Sequence, residues 1–164
     1  NVQTPFREKA ENLGKILKGN RVYVLTSTRT ASASELIING LKPYMDVFII
    51  GDKTTGKNVG SVPFEDDDNP ANKYGMLPII SRSFNSLDQS EYTNGFLPNI
   101  EAKESSERLK PLGDINELLL RKAIEQITGV PSGARYQQLE RVDVGSTLDS
   151  KIRNGVMIES IEVN

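Results

Sequence analysis

Apolar side chains in this chain fall into stripes of helical period and short runs of strand character. Thr4-Pro5 reads as an N-cap followed by proline at the first helical position. Phe6, Ala10, Leu13 and Leu17 then recur at helical spacing, with Gly19 as the stop. The run RVYVLTS (21–27) is β-branched and apolar enough for a buried strand. Ala33, Ile37, Leu41 and Tyr44, with Leu36 and Gly40, line one face of a helix that Pro43 limits to about one further residue. DVFIIG (46–51) reads as a second buried strand. Strand, helix and strand in so short a span predict a βαβ crossover with a parallel pair.

Beyond it come a Gly/Lys turn (52–60), the acidic loop EDDDNP (65–70) and apolar runs near 75–82 and 96–100. DINELLLRKAIEQITG (114–129) predicts a further helix. Asp114 and Glu117 resemble a cap, Leu119, Leu120, Ala123, Ile124 and Ile127 form the stripe, and Gly129 with Pro131 ends it. VPSGAR (130–135) reads as a linker to a tail of roughly 30 residues, too small to fold alone. The expected division is therefore residues 1–129 as the main unit and 130–164 as an extension.

Composition narrows the chemistry more than the class. The 164 residues suffice for one domain with a sizeable core, and a net charge of −2 offers no nucleic-acid or membrane-surface footprint. No apolar run approaches the ~20 residues of a transmembrane helix. The N-terminal stretch NVQTPFREKAENL lacks the apolar core of a signal peptide. The chain has no cysteine, which excludes thiol catalysis and disulfides, and no histidine, which excludes a Ser-His-Asp triad within it and disfavours zinc. A nucleophile here needs Lys, Asp, Glu or a partner's residue as its base.

TASASE (30–35) is where such a nucleophile could stand. Ser32-x-x-Glu35 fits a capping box, in which serine bonds a backbone N–H and glutamate reaches back. The βαβ placement adds an address: Ser32 lies where a strand ends and a helix begins, at the carboxyl edge of a parallel sheet, the usual ligand crevice of α/β folds. The Ala33 N–H would face that crevice at the positive end of the helix dipole and could act as one oxyanion donor. Lys57, in TTGKNVGS at the corresponding edge of the next strand, is the candidate base, and Gly56 permits a tight turn before it. An amine serving as base near neutral pH must lie about 3 units below the ordinary lysine value of ~10.4, roughly 4 kcal/mol, which burial can supply and exposure cannot.

The segment TASASELIINGLKPYMDVFIIGDKTTGKNVGS resembles the active-site region of the C-terminal-processing, or tail-specific, serine peptidases. Their pattern has a small-Ser-Ala-Ser-Glu turn and then a Gly-Lys after the following strand; here Ser32 and Lys57 stand 25 positions apart and Gly56 precedes the lysine. LPIISRSFNSLDQSEYTNGFLPNIEA resembles the post-lysine region of the Bacteroidetes-type members, so the likeness runs over about residues 20–128. It implies a crotonase-like (ClpP/crotonase) α/β fold, with Ser32 as nucleophile, Lys57 as general base, Ala33 N–H as an oxyanion donor and Glu35 as support. It also implies protein or peptide substrates, no metal or cofactor, and a periplasmic or cell-envelope setting.

Departures accompany the likeness. Many relatives carry Gly and Gln one and four positions after the lysine, where this chain has Asn58 and Ser61; some carry Asp eleven positions after the serine, where it has Pro43. The nearby Asp46 does not inherit that role. The family's second oxyanion donor is a glycine in an Asp-Leu-Arg-x-Asn-x-Gly-Gly-like turn, and neither that turn nor a peptide-binding PDZ module occurs here. The chain is therefore expected to be the C-terminal part of a peptidase domain. A non-catalytic crotonase-like binding domain is the alternative. Among the remaining features, EDDD (65–68) reads as a solvated loop, since it lacks the spacing of a calcium loop. Thr54 and Thr55 read as turn residues, with Thr55 the better candidate to shape the site. Tyr74, Phe84, Tyr92 and Phe96 read as core or sheet-face residues.

Overall fold

The computed structural model describes residues 2–7, 9–11, 20–69 and 71–132. The β-branched run after Asn20 forms β1 (Arg21–Thr26), and the next apolar run forms β2 (Asp46–Gly51). They pair in parallel, from Arg21 opposite Asp46 to Thr26 opposite Gly51, with α1 (Ala33–Leu41) as the crossover. The predicted βαβ unit is present, and the fold class is α/β. Chain order continues through the short strands β3 (Val59–Ser61), β4 (Phe64–Glu65), β5 (Gly75–Met76), β6 (Ile79–Arg82) and β7 (Ile100–Glu101) to α2 (Leu118–Thr128). β7 joins the free edge of β2 in parallel, giving a sheet of order β1-β2-β7. Asn99 extends that pairing by one residue: its side-chain oxygen accepts the Ile49 N–H and its own N–H donates to the Ile49 carbonyl, both at 2.7 Å. β3 with β6 and β4 with β5 form two antiparallel ribbons.

The core gathers Ile38 of α1, Ile49 of β2 and the stacked rings of Tyr92 and Phe96, with Val24 and Val47 against it. The face that α1 buries differs from the expected one. Glu35, Ile38 and Asn39 turn inward, while Leu36 and Ile37 are 45% and 59% exposed. Two polar side chains can occupy the inner face because both are satisfied there. The Asn39 amide donates to the Gln89 carbonyl at 2.8 Å, and Glu35 collects the donors described below. Hydropathy alone assigns such residues to solvent.

Other expectations are corrected. Residues 4–7 and 9–11 are not helical; Phe6 lies edge-to-face against Tyr44, beside Gly40 of α1, so a tertiary contact overrides the local helical period. Leu13, Leu17 and Gly19 lie outside the described residues. The second helix starts at Leu118 rather than near 114, because the Glu117 carboxylate accepts from the Leu119 and Leu120 N–H groups and so caps it. Asp114 instead caps a turn one step earlier, accepting from Asn116 N–H at 2.8 Å. The stop is as expected, with Gly129 left-handed at φ 70°. Leu119 and Ala123 are buried in the stripe as expected, but Ile127 is 60% exposed. Tyr92 and Phe96 are core residues, whereas Tyr74 and Phe84 are exposed. In the acidic loop, Asp66 accepts from the Asn72 side chain, and among the described residues no cluster of acidic side chains converges as a metal site. Residues 133–164, most of the expected extension, lie outside the described part. No helix among the described residues is long and apolar enough to cross a membrane.

Candidate active site

β1 ends at Thr26, and the chain turns through Ser27–Thr30, closed by the Thr30 N–H on the Ser27 carbonyl at 3.0 Å. It enters α1 through Ser32, whose backbone takes φ 54° and ψ −113°. A serine pays of order 1–3 kcal/mol to hold a region that favours glycine, and such strain persists only where the surroundings impose it. The turn leaves Ser32 exposed at the carboxyl edge of the sheet. Its hydroxyl lies over the first turn in capping-box placement yet makes no cap hydrogen bond of its own. Beside it, Ala33 is exposed, and nothing among the described residues accepts from its N–H, as for a donor in the first turn of a helix.

Glu35 is the centre of the arrangement. Its side chain is fully buried, and both oxygens are occupied twice. Oε1 accepts from the Thr54 hydroxyl at 2.6 Å and from Gly56 N–H at 2.7 Å. Oε2 accepts from Lys57 N–H at 2.8 Å and from Ser32 N–H at 3.1 Å. One carboxylate thus ties the serine turn to the lysine loop. Because both backbone nitrogens donate to the same oxygen, they are no further apart than those two bonds laid end to end. Two more bonds zip the loop to the serine turn: Thr55 N–H to the Thr30 carbonyl at 2.9 Å and the Thr55 hydroxyl to the Thr28 carbonyl at 3.0 Å.

The loop can come this close only because residue 56 has no side chain. Gly56 has φ 99°, and a Cβ there would stand 2.2 Å from the Thr93 carbonyl oxygen. Gly95 reciprocates, at φ 79°, where a Cβ would meet the Thr54 oxygen at 2.0 Å. The 92–96 segment, loop 54–58 and the head of α1 are therefore one interlocked unit.

Structure and sequence reading part at the lysine. A lysine base was read as needing burial, but Lys57 is exposed. Among the described residues its amine meets neither the Ser32 hydroxyl nor any carboxylate. What is held is its main chain, because the loop's anchors to Glu35 are backbone donors. The Ser32 turn, Ala33, Glu35 and Lys57 are brought to one edge of the sheet, and the Ser32 hydroxyl and Lys57 amine are not joined.

Sequence reasoning also missed residues. Thr54, read as a turn residue secondary to Thr55, is buried and relays two bonds, donating to Glu35 and accepting Phe96 N–H at 2.7 Å. Asn58, read only as a departure, is buried and bonded to Ser90 and Thr93. The Tyr92 hydroxyl is buried without a hydrogen-bond partner among the described residues, and burial first, then the Glu35 charge, raises its pKa. No periodicity marks these positions. The available signal was their clustering around the Gly-Lys pair.

The site of this α/β chain is thus a strained serine between a strand and a helix, with its N–H and that of Lys57 held by one buried carboxylate. The model of Peptidase family S41 matches residues 2–102, and the chain belongs to that family of C-terminal-processing peptidases. Among solved structures it is similar to one from Bacteroides fragilis NCTC 9343 assigned to the S41 proteases, at 35% identity and a TM-score of 0.60. That match covers 69% of this chain but 29% of the other, so the chain spans less than a third of that relative. No curated protein matches it.

Proposed function

We propose that this chain carries the Ser–Lys part of a serine endopeptidase of the C-terminal-processing type, on a crotonase-like fold. The observation that carries the reading is the shared Glu35 oxygen between the N–H groups of Ser32 and Lys57, in a chain of family S41. The Lys57 amine takes the Ser32 Oγ proton as Oγ attacks the scissile carbonyl carbon. The resulting oxyanion is met by the Ala33 N–H, assisted by the positive end of α1. Collapse breaks the C–N bond, the Lys57 ammonium returns its proton to the leaving amine, and water hydrolyses the ester by the same path in reverse. Glu35 touches no reacting atom; it holds both backbones in place. Substrates are exported or envelope proteins cut near apolar C-termini, and the setting is the periplasm or cell envelope.

The exposed amine favours one rival, a non-catalytic binding domain in which Lys57 never meets Ser32. Covalent labelling by a fluorophosphonate, together with peptide turnover, separates the two. In the intact protein that carries this chain, both signals should vanish in S32A and K57A. Labelling retained by either variant refutes the dyad, and ligand uptake without labelling favours the binder.

A further inference from the structure

We propose that Asn58 is a positioning residue for Lys57: its buried amide fixes the chain immediately past the lysine, so that the exposed amine is presented to Ser32. This rests on the dyad reading above. A lysine side chain loses about 2 kcal/mol of rotamer freedom when held in one geometry, and an exposed one has nothing along its stem to hold it. The protein can instead set where its Cα stands and which way the side chain leaves. On the N-terminal side that is done by Glu35, through the N–H groups of Gly56 and Lys57.

Asn58 does it on the C-terminal side. It is 3% exposed, and its amide nitrogen lies 2.7 Å from the Ser90 carbonyl, 3.2 Å from Ser90 Oγ and 3.1 Å from Thr93 Oγ1. Its own carbonyl accepts from Ser83 N–H at 2.9 Å. The anchor is itself anchored: Ser90 is fully buried, and Arg82 grips its hydroxyl at 3.0 Å and its carbonyl at 3.3 Å. Thr93, which receives the amide of Asn58, also presents the carbonyl that leaves no room for a Cβ on Gly56. A single segment thus touches the residue before Lys57 and the residue after it. A buried amide facing three acceptors is directional in a way an apolar contact is not.

The test follows fluorophosphonate labelling and peptide turnover of the intact protein, with a thermal melt for each variant. In N58A, labelling and kcat should fall by about 10- to 100-fold with KM little changed, as expected when a base is misplaced. T93V should lower kcat less, and T93S, which keeps the acceptor, should restore it. A lower melting temperature with kcat unmoved would make Asn58 merely structural and overturn the proposal. If N58A does not fold, T93V decides alone: a kcat identical to that of the parent overturns it. Loss of labelling in S32A and K57A beside parental labelling and kcat in N58A leaves the dyad standing and removes Asn58; parental labelling in S32A or K57A removes both.

Discussion

Replacing Glu35 by Gln tests the central claim about the site, that one buried carboxylate assembles it. Four donors converge on Glu35 at 2.6–3.1 Å, two on each oxygen. A glutamine keeps the shape but has one acceptor oxygen, and it will turn its nitrogen to the side where a neighbour can reverse its role. Only Thr54 among the four can do so, since a hydroxyl accepts as well as donates. The amide nitrogen therefore replaces Oε1, Ser32 and Lys57 keep their acceptor, and the Gly56 N–H is orphaned. A buried donor left without a partner costs about 1–3 kcal/mol, and the surviving bonds each lose about 1 kcal/mol on becoming neutral. The amide is cheaper to bury than the carboxylate, which offsets part of this, so the expected net loss is about 2–4 kcal/mol. For a protein of this size that lowers the melting temperature by roughly 5–15 °C. E35A strands all four donors and should approach the whole ~5–15 kcal/mol stability of a typical domain, so little folded protein should accumulate. The assay is thermal unfolding by circular dichroism beside fluorophosphonate labelling, in which folded E35Q should retain partial reactivity because Ser32 and Lys57 remain tied. A melting temperature for E35Q within about 2 °C of the parent would refute the reasoning, because it would mean the donors have other partners.

Three further outcomes are expected. S32G and S32A both lack the hydroxyl, but only glycine accepts φ 54° without strain, so S32G should be more stable than S32A by about 1 kcal/mol in urea unfolding; equal stability would mean the turn is unstrained. T54V strands Phe96 N–H and removes a donor from Glu35, costing about 2–4 kcal/mol, whereas T54S keeps both bonds; similar losses in the two variants would dissociate the hydroxyl from the network. The Ser132 hydroxyl and N–H hold Glu125 at about 2, below the ordinary 4.5. A carboxyl lowered on folding stabilises above its unfolded value and ceases to do so as pH falls toward its folded one. The gap in melting temperature between the parent and S132A should therefore be constant near neutral pH and shrink between about 4.5 and about 2. A gap unchanged across that interval would count against the hydroxyl bond.

Several features were legible in the sequence because they depend on residues close along the chain. β1, α1 and β2 follow from two β-branched runs around an amphipathic stretch, and their brevity alone requires a parallel crossover. That crossover placed Ser32 at the sheet edge, and the Gly129 stop followed from its neighbours. Glycine at 56 was read correctly as a tight approach, although what it approaches, the Thr93 carbonyl, could not be named.

Tertiary structure decided which polar groups are inside. Glu35 and Asn39 are buried because donors and acceptors arrive from segments 19 to 50 residues away, and hydropathy counts the cost of burying such groups without the partners that cancel it. For the same reason Thr54 and Asn58 looked like loop residues. Phe6 left its helical pattern for a ring contact with Tyr44, and Lys57, whose role as base was read as needing burial, is exposed and held by its backbone. The sequence by itself determined near which sheet edge Ser32 and Lys57 stand. Only the fold decided that one carboxylate holds them, because a hydrogen-bond partner is chosen by distance in space, which a linear pattern does not encode.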